Sequence, residues 1–257
     1  MTRYLDAPLP LAFAHRGGAA AGDAESPAEN TMHAFARAVA LGFRYLETDV
    51  QATADGVPVV FHDDDLARLA DRRQRIGALR WADLRTVRVA GAAAIPRLDE
   101  VLAAWPAARF NIDVKADAAV TPTIEVVRRT AALDRVLLAS FRDARVRRMR
   151  RAFGPTVATA LATREVARLW LAAYLGRGLR VPPGAVAAQV PVRYAGARVV
   201  DRRFVARAHR LGLQVHVWTV DAPDEMHELL DLGVDGIMTD HPEVLREVYL
   251  SLGVWRS

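Results

Sequence analysis

Glu47 and Asp49 lie two residues apart in one apolar run, and Asn111, Asp113 and Lys115 repeat that spacing in another. Residues i, i+2 and i+4 of a β-strand share a face, so each set points to one side. His15-Arg16, His62-Asp63, Trp218-Thr219 and Thr239-Asp240 each end a further short apolar run. Burying a charge without a partner is strongly unfavourable. Glu47, Asp49 and Asp113 brought together would repel one another unless a cation lay among them. With oxygen ligands alone, that cation would be a hard divalent ion, Mg²⁺ or Ca²⁺, rather than Zn²⁺. The same carboxylates could instead pair with Arg16, Lys115 and Arg44 in a purely structural ion network. Histidine titrates near neutral pH, so His15 and His62 suit general acid and base, although a lone histidine in an apolar run can equally be a satisfied core residue. Arg16 and Lys115 are placed to hold a phosphate beside a metal. Trp218 offers an apolar wall for a small alcohol, or plain core packing. His33, His209, His216, His227 and His241 lack such company and read as structural or solvent-facing.

Lys115 has a second distinction. The chain carries 34 arginines and this single lysine. A sequence so rich in arginine uses it wherever any cation will serve. A retained lysine marks a place where a compact ammonium fits and a planar guanidinium does not. Chance could also leave one behind, but its position beside Asp113 favours the chemical reading.

Such residues need a scaffold that delivers strand ends to one place. Short apolar, β-branched runs at 11–14, 45–50, 110–114, 136–140, 156–160, 186–190, 214–218 and 236–239 predict eight strands. Amphipathic segments at 31–41, 123–132, 144–153, 164–174, 202–211, 223–232 and 242–252 predict helices between and after them. Asn30, Asp143, Asp201 and Asp221 stand where capping residues belong, and Gly42, Gly154, Gly212 and Gly233 follow helix ends. Eight strands with following helices close a (β/α)8 barrel of the TIM type, an α/β fold. Such enzymes keep their active sites at the C-terminal ends of the strands. About 250 residues is typical of one such domain, and no linker or composition shift divides 1–257, which reads as a single domain. Two segments break the repeat. Residues 57–61 read as a strand too close to the previous one for a parallel crossover, and so as an irregular extension over the barrel mouth. Residues 64–105, with helix pieces at 81–84 and 98–105, read as a small insertion after the second-strand region.

Composition removes several other classes. There is no cysteine, hence no disulfide and no thiolate ligand. No run approaches the roughly 18 apolar residues of a membrane span, so no stable membrane insertion is expected. The apolar run 9–14 is shorter than the roughly 7–15 residues of a signal core and leads directly into His15, so it reads as a strand in a cytoplasmic protein. A net charge of +5 and a pI near 10.2 would suit an acidic partner. Yet the arginines are scattered, as at Arg142, Arg145, Arg147, Arg148, Arg150 and Arg151, and no nucleic-acid motif accompanies them. Nucleic acid is not an expected partner.

Taken in order, His15-Arg16-Gly17-Gly18, Glu29-Asn30-Thr31, Glu47-Thr48-Asp49-Val50, Asp55-Gly56, Val59-Val60-Phe61-His62-Asp63, Asn111-Ile112-Asp113-Val114-Lys115, Trp218-Thr219 and Gly236–Thr239 with Asp240 resemble the glycerophosphodiester phosphodiesterase family. The likeness spans nearly the whole chain, and its ordered set of motifs is far more specific than any one of them. It implies a (β/α)8 barrel with an insertion after the His62 motif. It also implies hydrolysis of small-molecule glycerophosphodiesters to glycerol 3-phosphate and an alcohol with Mg²⁺ or Ca²⁺. By resemblance, His15 and His62 are acid and base, Glu47 and Asp49 bind metal, Arg16 and Lys115 hold the phosphate, and Glu29 supports the site. Asp113 departs from the family's usual glutamate, which bears on metal preference. The chain is expected to act as a monomer or homodimer. Within the same family, a phospholipase D-like activity on lysophospholipids or sphingolipids is the alternative, with the apolar segment 169–183 as a lipid-contacting lip. A non-catalytic phosphate-binding protein is a third reading, and the presence of every histidine and carboxylate argues against it.

Overall fold

Ala14, at the end of the first strand, pairs with Leu46 on one side and Thr239 on the other, and this double pairing closes the sheet on itself. The computed structural model describes residues 3–19, 28–176 and 178–256. Its main sheet comprises β1 (Leu11–Ala14), β2 (Tyr45–Ala52), β3 (Pro58–Val60), β4 (Arg109–Val114), β5 (Val136–Ala139), β6 (Ala158–Ala160), β7 (Ala185–Pro191), β8 (Gln214–Trp218) and β9 (Gly236–Thr239). Among the described residues, eight of these run parallel in the cyclic order β1-β2-β4-β5-β6-β7-β8-β9, and β3 lies outside the ring. The connections are α1 (Met32–Ala40), α2 (Leu98–Ala104), α3 (Val120–Arg129), α4 (Asp143–Phe153), α5 (Thr163–Leu175), α6 (Arg202–Arg210) and α7 (Pro223–Asp231), and α8 (Pro242–Ser251) follows the last strand. This is the (β/α)8 TIM barrel of the sequence reading. The sixth strand starts later than expected because Gly154–Thr156, with Pro155, forms a 3-10 turn.

Alternation along the strands sets what lies inside. Leu11, Phe13, Tyr45, Leu137, Ala139, Ala158, Ala160, Ala187 and Met238 make an apolar floor within the barrel. The next inward positions along the same strands are His15, Glu47, Asp49 and Asp240. The polar layer therefore sits above that floor at the C-terminal mouth. The opposite strand faces pack against the helices in the larger core, with Leu46, Val50, Ile112, Leu138, Val215 and Ile237 fully buried.

At the rim of the mouth, residues 58–60 form a regular strand rather than an irregular extension. β3 turns back as a hairpin on the protruding end of β2, with Val50 opposite Val60 and Ala52 opposite Pro58. An antiparallel partner needs only a short turn, which a parallel reading could not accommodate. Thr53 closes the turn, its hydroxyl 2.6 Å from Asp55 Oδ1 and accepting from Val57 N at 2.9 Å. Beyond β3, residues 61–97 wrap a small apolar cluster of their own around Phe61, Leu66, Ile76, Leu84 and Val87. Leu98–Ala104 stands in chain order where the barrel's second helix belongs, packed beside α3.

The capping residues differ in part from expectation. Asp201 caps α6, accepting from Phe204 N at 2.8 Å. Thr31, not Asn30, caps α1, because the Asn30 side chain is taken up by β2. Asp143 is the first residue of α4 and makes no cap bond. Asp221 precedes the cap position of α7 and instead accepts from Thr239 Oγ1 and Asp240 N, both at 2.9 Å. Gly42, Gly154, Gly212 and Gly233 all have positive φ, as their positions after helices predicted. No described helix is long and apolar enough to cross a membrane.

Candidate active site

The turn that ends β1 brings the first pair of functional side chains to the mouth. A Cβ on Gly17 would lie 2.7 Å from Ala34 Cβ, and one on Gly18 would lie 2.5 Å from Pro242 Cγ. Only glycines let this turn press against α1 and the start of α8. It is thereby pinned between two helices, and Arg16, itself at φ 51°, donates its backbone N–H to Glu47 Oε2 at 3.0 Å.

β2 and β4 place the acidic residues side by side, Glu47 opposite Asn111 and Asp49 opposite Asp113. Lys115 reaches back between the two strands, its Nζ 2.9 Å from Asp49 Oδ1 and 2.7 Å from Asp113 Oδ2. Arg16 Nε lies 3.1 Å from Asp49 Oδ2, and its Nη1 is 3.0 Å from Glu29 Oε1. Asn30 Nδ2 donates to Asp49 Oδ2 at 2.9 Å while Thr48 donates to Asn30 Oδ1 at 2.8 Å, which fixes the Asp49 carboxylate. Around Asp49 and Asp113 the side chains thus form the ion network that was the second reading of the carboxylates. Arg44 stands exposed at the opposite end of β2. As they stand, no three acidic or histidine side chains among the described residues are gathered around one metal position, and Lys115 Nζ lies between Asp49 and Asp113. The ammonium of Lys115 supplies the charge between Asp49 and Asp113.

The carboxylates differ in how well they are compensated. Burial raises Asp49, but Lys115, Arg16 and His62 outweigh it and hold the carboxyl below its ordinary range. Burial and the Asp49 charge push Glu47 up to about 7, against smaller pulls from His15, Lys115 and Arg16. Burial likewise raises Asp113 despite its contact with Lys115. Asp113 Oδ1 and the neighbouring Asn111 Oδ1 are buried with no hydrogen-bond partner.

Both histidines are backed by carboxylates. His15 Nδ1 lies 2.7 Å from Asp240 Oδ1, and His62 Nδ1 lies 2.6 Å from Asp63 Oδ1. A carboxylate on Nδ1 fixes a neutral ring with its proton there and leaves Nε2 free to accept or return one. His15 Nε2 is 3.8 Å from Glu47 Oε2. Burial would lower the His15 pKa, but Asp240 and Glu47 outweigh it and the net shift is upward. His62 reaches the site because β3 carries it there, with Phe61 N bonded to Asp49 O at 3.0 Å and Gln51 Nε2 to His62 O at 3.1 Å.

Trp218 stands half-buried at the end of β8, edge-on to the exposed Phe141 with ring centroids 5.7 Å apart. Phe141 in turn lies 5.4 Å from Lys115 Nζ. Of the segment 169–183, Leu169 and Ala172 are buried while Leu171 and Leu175 are exposed; its residue 177 lies outside the described residues. All nine sequence-predicted site residues therefore lie in or beside one mouth. Sequence reasoning missed the partners Asp63, Asp240, Asn30 and Arg68. Asp63 and Asp240 were visible at their strand ends, but nothing local told which histidine each would meet.

Comparison with known proteins agrees with the fold and gives the family. The model of the glycerophosphoryl diester phosphodiesterase family matches residues 15–244. A Mycobacterium tuberculosis protein named "Probable glycerophosphodiester phosphodiesterase 2" is 42% identical over 229 residues, covering 88% of this chain and 87% of its own. The glycerophosphoryl diester phosphodiesterase domain of another M. tuberculosis protein has the same fold, with a TM-score of 0.79 at 21% identity over 93% of this chain and 99% of that one. An Oleispira antarctica phosphodiesterase, solved with the product sn-glycerol-3-phosphate, superposes with a TM-score of 0.74 at 23% identity over 93% and 96% of the two chains.

Proposed function

The chain belongs to the glycerophosphoryl diester phosphodiesterase family and is a phosphoric diester hydrolase, and from that premise we propose that it cleaves glycerophosphodiesters to glycerol 3-phosphate and an alcohol by cation-assisted histidine acid–base catalysis. The observation that carries this reading is the pair of histidines, each with a carboxylate on Nδ1, facing a mouth lined by Glu47, Asp49, Asp113, Arg16 and Lys115. The product bound to the Oleispira antarctica enzyme supports assigning glycerol 3-phosphate to this one. The reading treats 1–257 as one catalytic domain, with residues 61–97 as an insertion ahead of its second helix rather than the whole of 64–105.

A divalent cation fits the residues present. The donors are carboxylate oxygens in a chain without cysteine, which suits Mg²⁺ or Ca²⁺. The unpartnered Asp113 Oδ1 and the elevated Glu47 mark a place short of positive charge. Glu47, Asp49 and Asp113 would hold the ion, which when bound stabilises negative charge on the phosphoryl oxygens. Arg16 and Lys115 hold the phosphate and favour the more highly charged transition state over the ground state. Glu29 fixes the Arg16 guanidinium. One imidazole takes the proton of the attacking hydroxyl, whether of water or of the substrate's own glycerol, and the other protonates the departing alcohol. Trp218 with Phe141 gives that alcohol an apolar wall.

The test is glycerol 3-phosphate release from glycerophosphocholine by the purified chain, with lysophosphatidylcholine in parallel. Release from the first substrate supports the proposal. Turnover of only the lysolipid, or of neither with Mg²⁺ and Ca²⁺ supplied, overturns it.

A further inference from the structure

Arg68 lies outside the barrel ring, in the short helical turn Ala67–Ala70 that follows the His62 segment. Its side chain is 47% exposed, yet all three guanidinium nitrogens meet carboxylates. Nε donates to Asp63 Oδ2 at 2.8 Å, Nη1 to Glu29 Oε2 at 2.9 Å and Nη2 to Glu29 Oε1 at 2.6 Å. The grip on Glu29 is the two-pronged fork that only a planar guanidinium can make. Each carboxylate has a second task, Asp63 with its other oxygen and Glu29 with an oxygen that Arg68 already holds. Asp63 Oδ1 backs His62 Nδ1 at 2.6 Å, and Glu29 Oε1 accepts from Arg16 Nη1 at 3.0 Å.

We propose that Arg68 is a positioning residue, which sets the His62 imidazole through Asp63 and the Arg16 guanidinium through Glu29. The inference rests on the roles proposed above for His62 and Arg16. Without Arg68, Asp63 and Glu29 each keep one partner and lose the contact that fixes their rotation. Asp63 can then swing its oxygen away from Nδ1, and the imidazole loses its defined orientation. Exposed ion pairs contribute little to stability on average, so the effect of this one falls on geometry. Arg68 is also the side chain that ties the segment after β3 to the turn at residues 28–30. One guanidinium thereby coordinates an acid–base group and a phosphate-holding group that arrive on different stretches of chain.

The experiment compares the full-length wild type with Arg68→Met and Arg68→Lys, under saturating divalent cation, with glycerophosphocholine. Arg68→Met keeps the apolar stem and removes the fork. It is expected to lower kcat by roughly ten- to a hundredfold and raise KM severalfold, with little change in melting temperature. Millimolar guanidinium should restore part of that activity, and Arg68→Lys should recover only a fraction. In an Asp63→Asn, Glu29→Gln background, Arg68→Met should cost less than about twofold more, because its two targets are already uncoupled. The ¹⁵N signals of the His62 ring report positioning independently of turnover. They should shift and broaden in Arg68→Met while those of His15 stay in place. Wild-type kinetics in Arg68→Met, an equal loss in the uncoupled background, or unchanged His62 ring signals would each overturn the inference. A wild type that releases no glycerol 3-phosphate counts against the proposed reaction instead, and the ring signals still decide the role of Arg68.

Discussion

His15 Nδ1 lies 2.7 Å from Asp240 Oδ1, although 225 positions separate the two residues. They meet because β1 and β9 are neighbours where the barrel closes, with Ala14 opposite Thr239. The residue following each strand therefore faces the same space. Asp240→Asn keeps size and most geometry but removes the charge that holds the proton on Nδ1. It is expected to lower kcat by roughly ten- to a hundredfold, less than the roughly 10²–10⁴ expected for His15→Ala or His62→Ala. Asp240 also helps hold the His15 pKa up, so the limb of the kcat–pH profile that belongs to His15 should move to lower pH in Asp240→Asn. Kinetics over pH 5–9 decide the matter. A variant with an unchanged profile and turnover would make Asp240 a bystander.

Cation binding has readouts beyond activity. Because Glu47 and Asp113 are buried and raised, an ion bound there relieves unfavourable charge in the folded state and should stabilise it. Adding Mg²⁺ or Ca²⁺ to chelator-treated protein is expected to raise the melting temperature by a few degrees, and Asp113→Asn should weaken that response. EDTA should abolish turnover and either ion restore it. Full activity of stripped protein, together with a melting temperature that neither ion moves, would leave Lys115 and Arg16 as the counter-charges.

The barrel and its mouth were legible because both follow from alternation. Glu47, Asp49, Asn111, Asp113 and Lys115 announce an inward polar layer at strand spacing, and glycines after helix patterns mark the connections. What was not legible depends on closure or on irregular chain. Asn30 looked like a helix cap, and only the position of β2 beside it shows that it holds Asp49. The pairing of His15 with Asp240 needs the first and last strands in contact. Arg68 sits among several arginines in residues 64–105, and nothing in that stretch distinguishes it. The strand at 57–61 was visible, but its antiparallel pairing follows from the Thr53–Asp55 turn chemistry, which strand propensity does not report.

His216 gives the fold a defined acid sensitivity. It is fully buried against Phe13, its Nε2 2.9 Å from Gln214 Oε1 and its Nδ1 3.3 Å from Gln189 Nε2. One donor and one acceptor satisfy the neutral ring only. Burial lowers its pKa to about 3, against 6.5 for a free histidine. Between those values the unfolded chain binds a proton that the folded chain does not, so stability falls as pH drops below about 6.5. Within that window the slope approaches about 1.4 kcal/mol per pH unit from this group. Urea unfolding at pH 7, 5.5 and 4.5 should show His216→Gln to be less steeply pH-dependent than wild type, whatever its stability at pH 7. Equal slopes would mean that the core admits the charged ring.

Lys115 is the group on which composition and geometry make opposite predictions. In a chain of 34 arginines, Lys115→Arg should be the substitution the protein tolerates most easily. The side chain is mostly buried, however, and its ammonium bridges Asp49 at 2.9 Å and Asp113 at 2.7 Å, under the Phe141 ring. A point charge fits between two carboxylates on adjacent strands. A guanidinium is wider and planar, and would have to displace one carboxylate or turn toward Phe141. In either case the positive charge stays in the mouth while its position against the carboxylates and the phosphate changes. A hydrogen bond to a charged group contributes about 1.5–3 kcal/mol, so Lys115→Arg is expected to lower kcat/KM by roughly ten- to a hundredfold. Circular dichroism and melting temperature should stay close to wild type, since β4 and its neighbours keep their apolar packing. Steady-state kinetics on glycerophosphocholine at saturating divalent cation make the measurement. Wild-type kinetics in the variant would mean that any cation serves at this position and that the single lysine is an accident of composition.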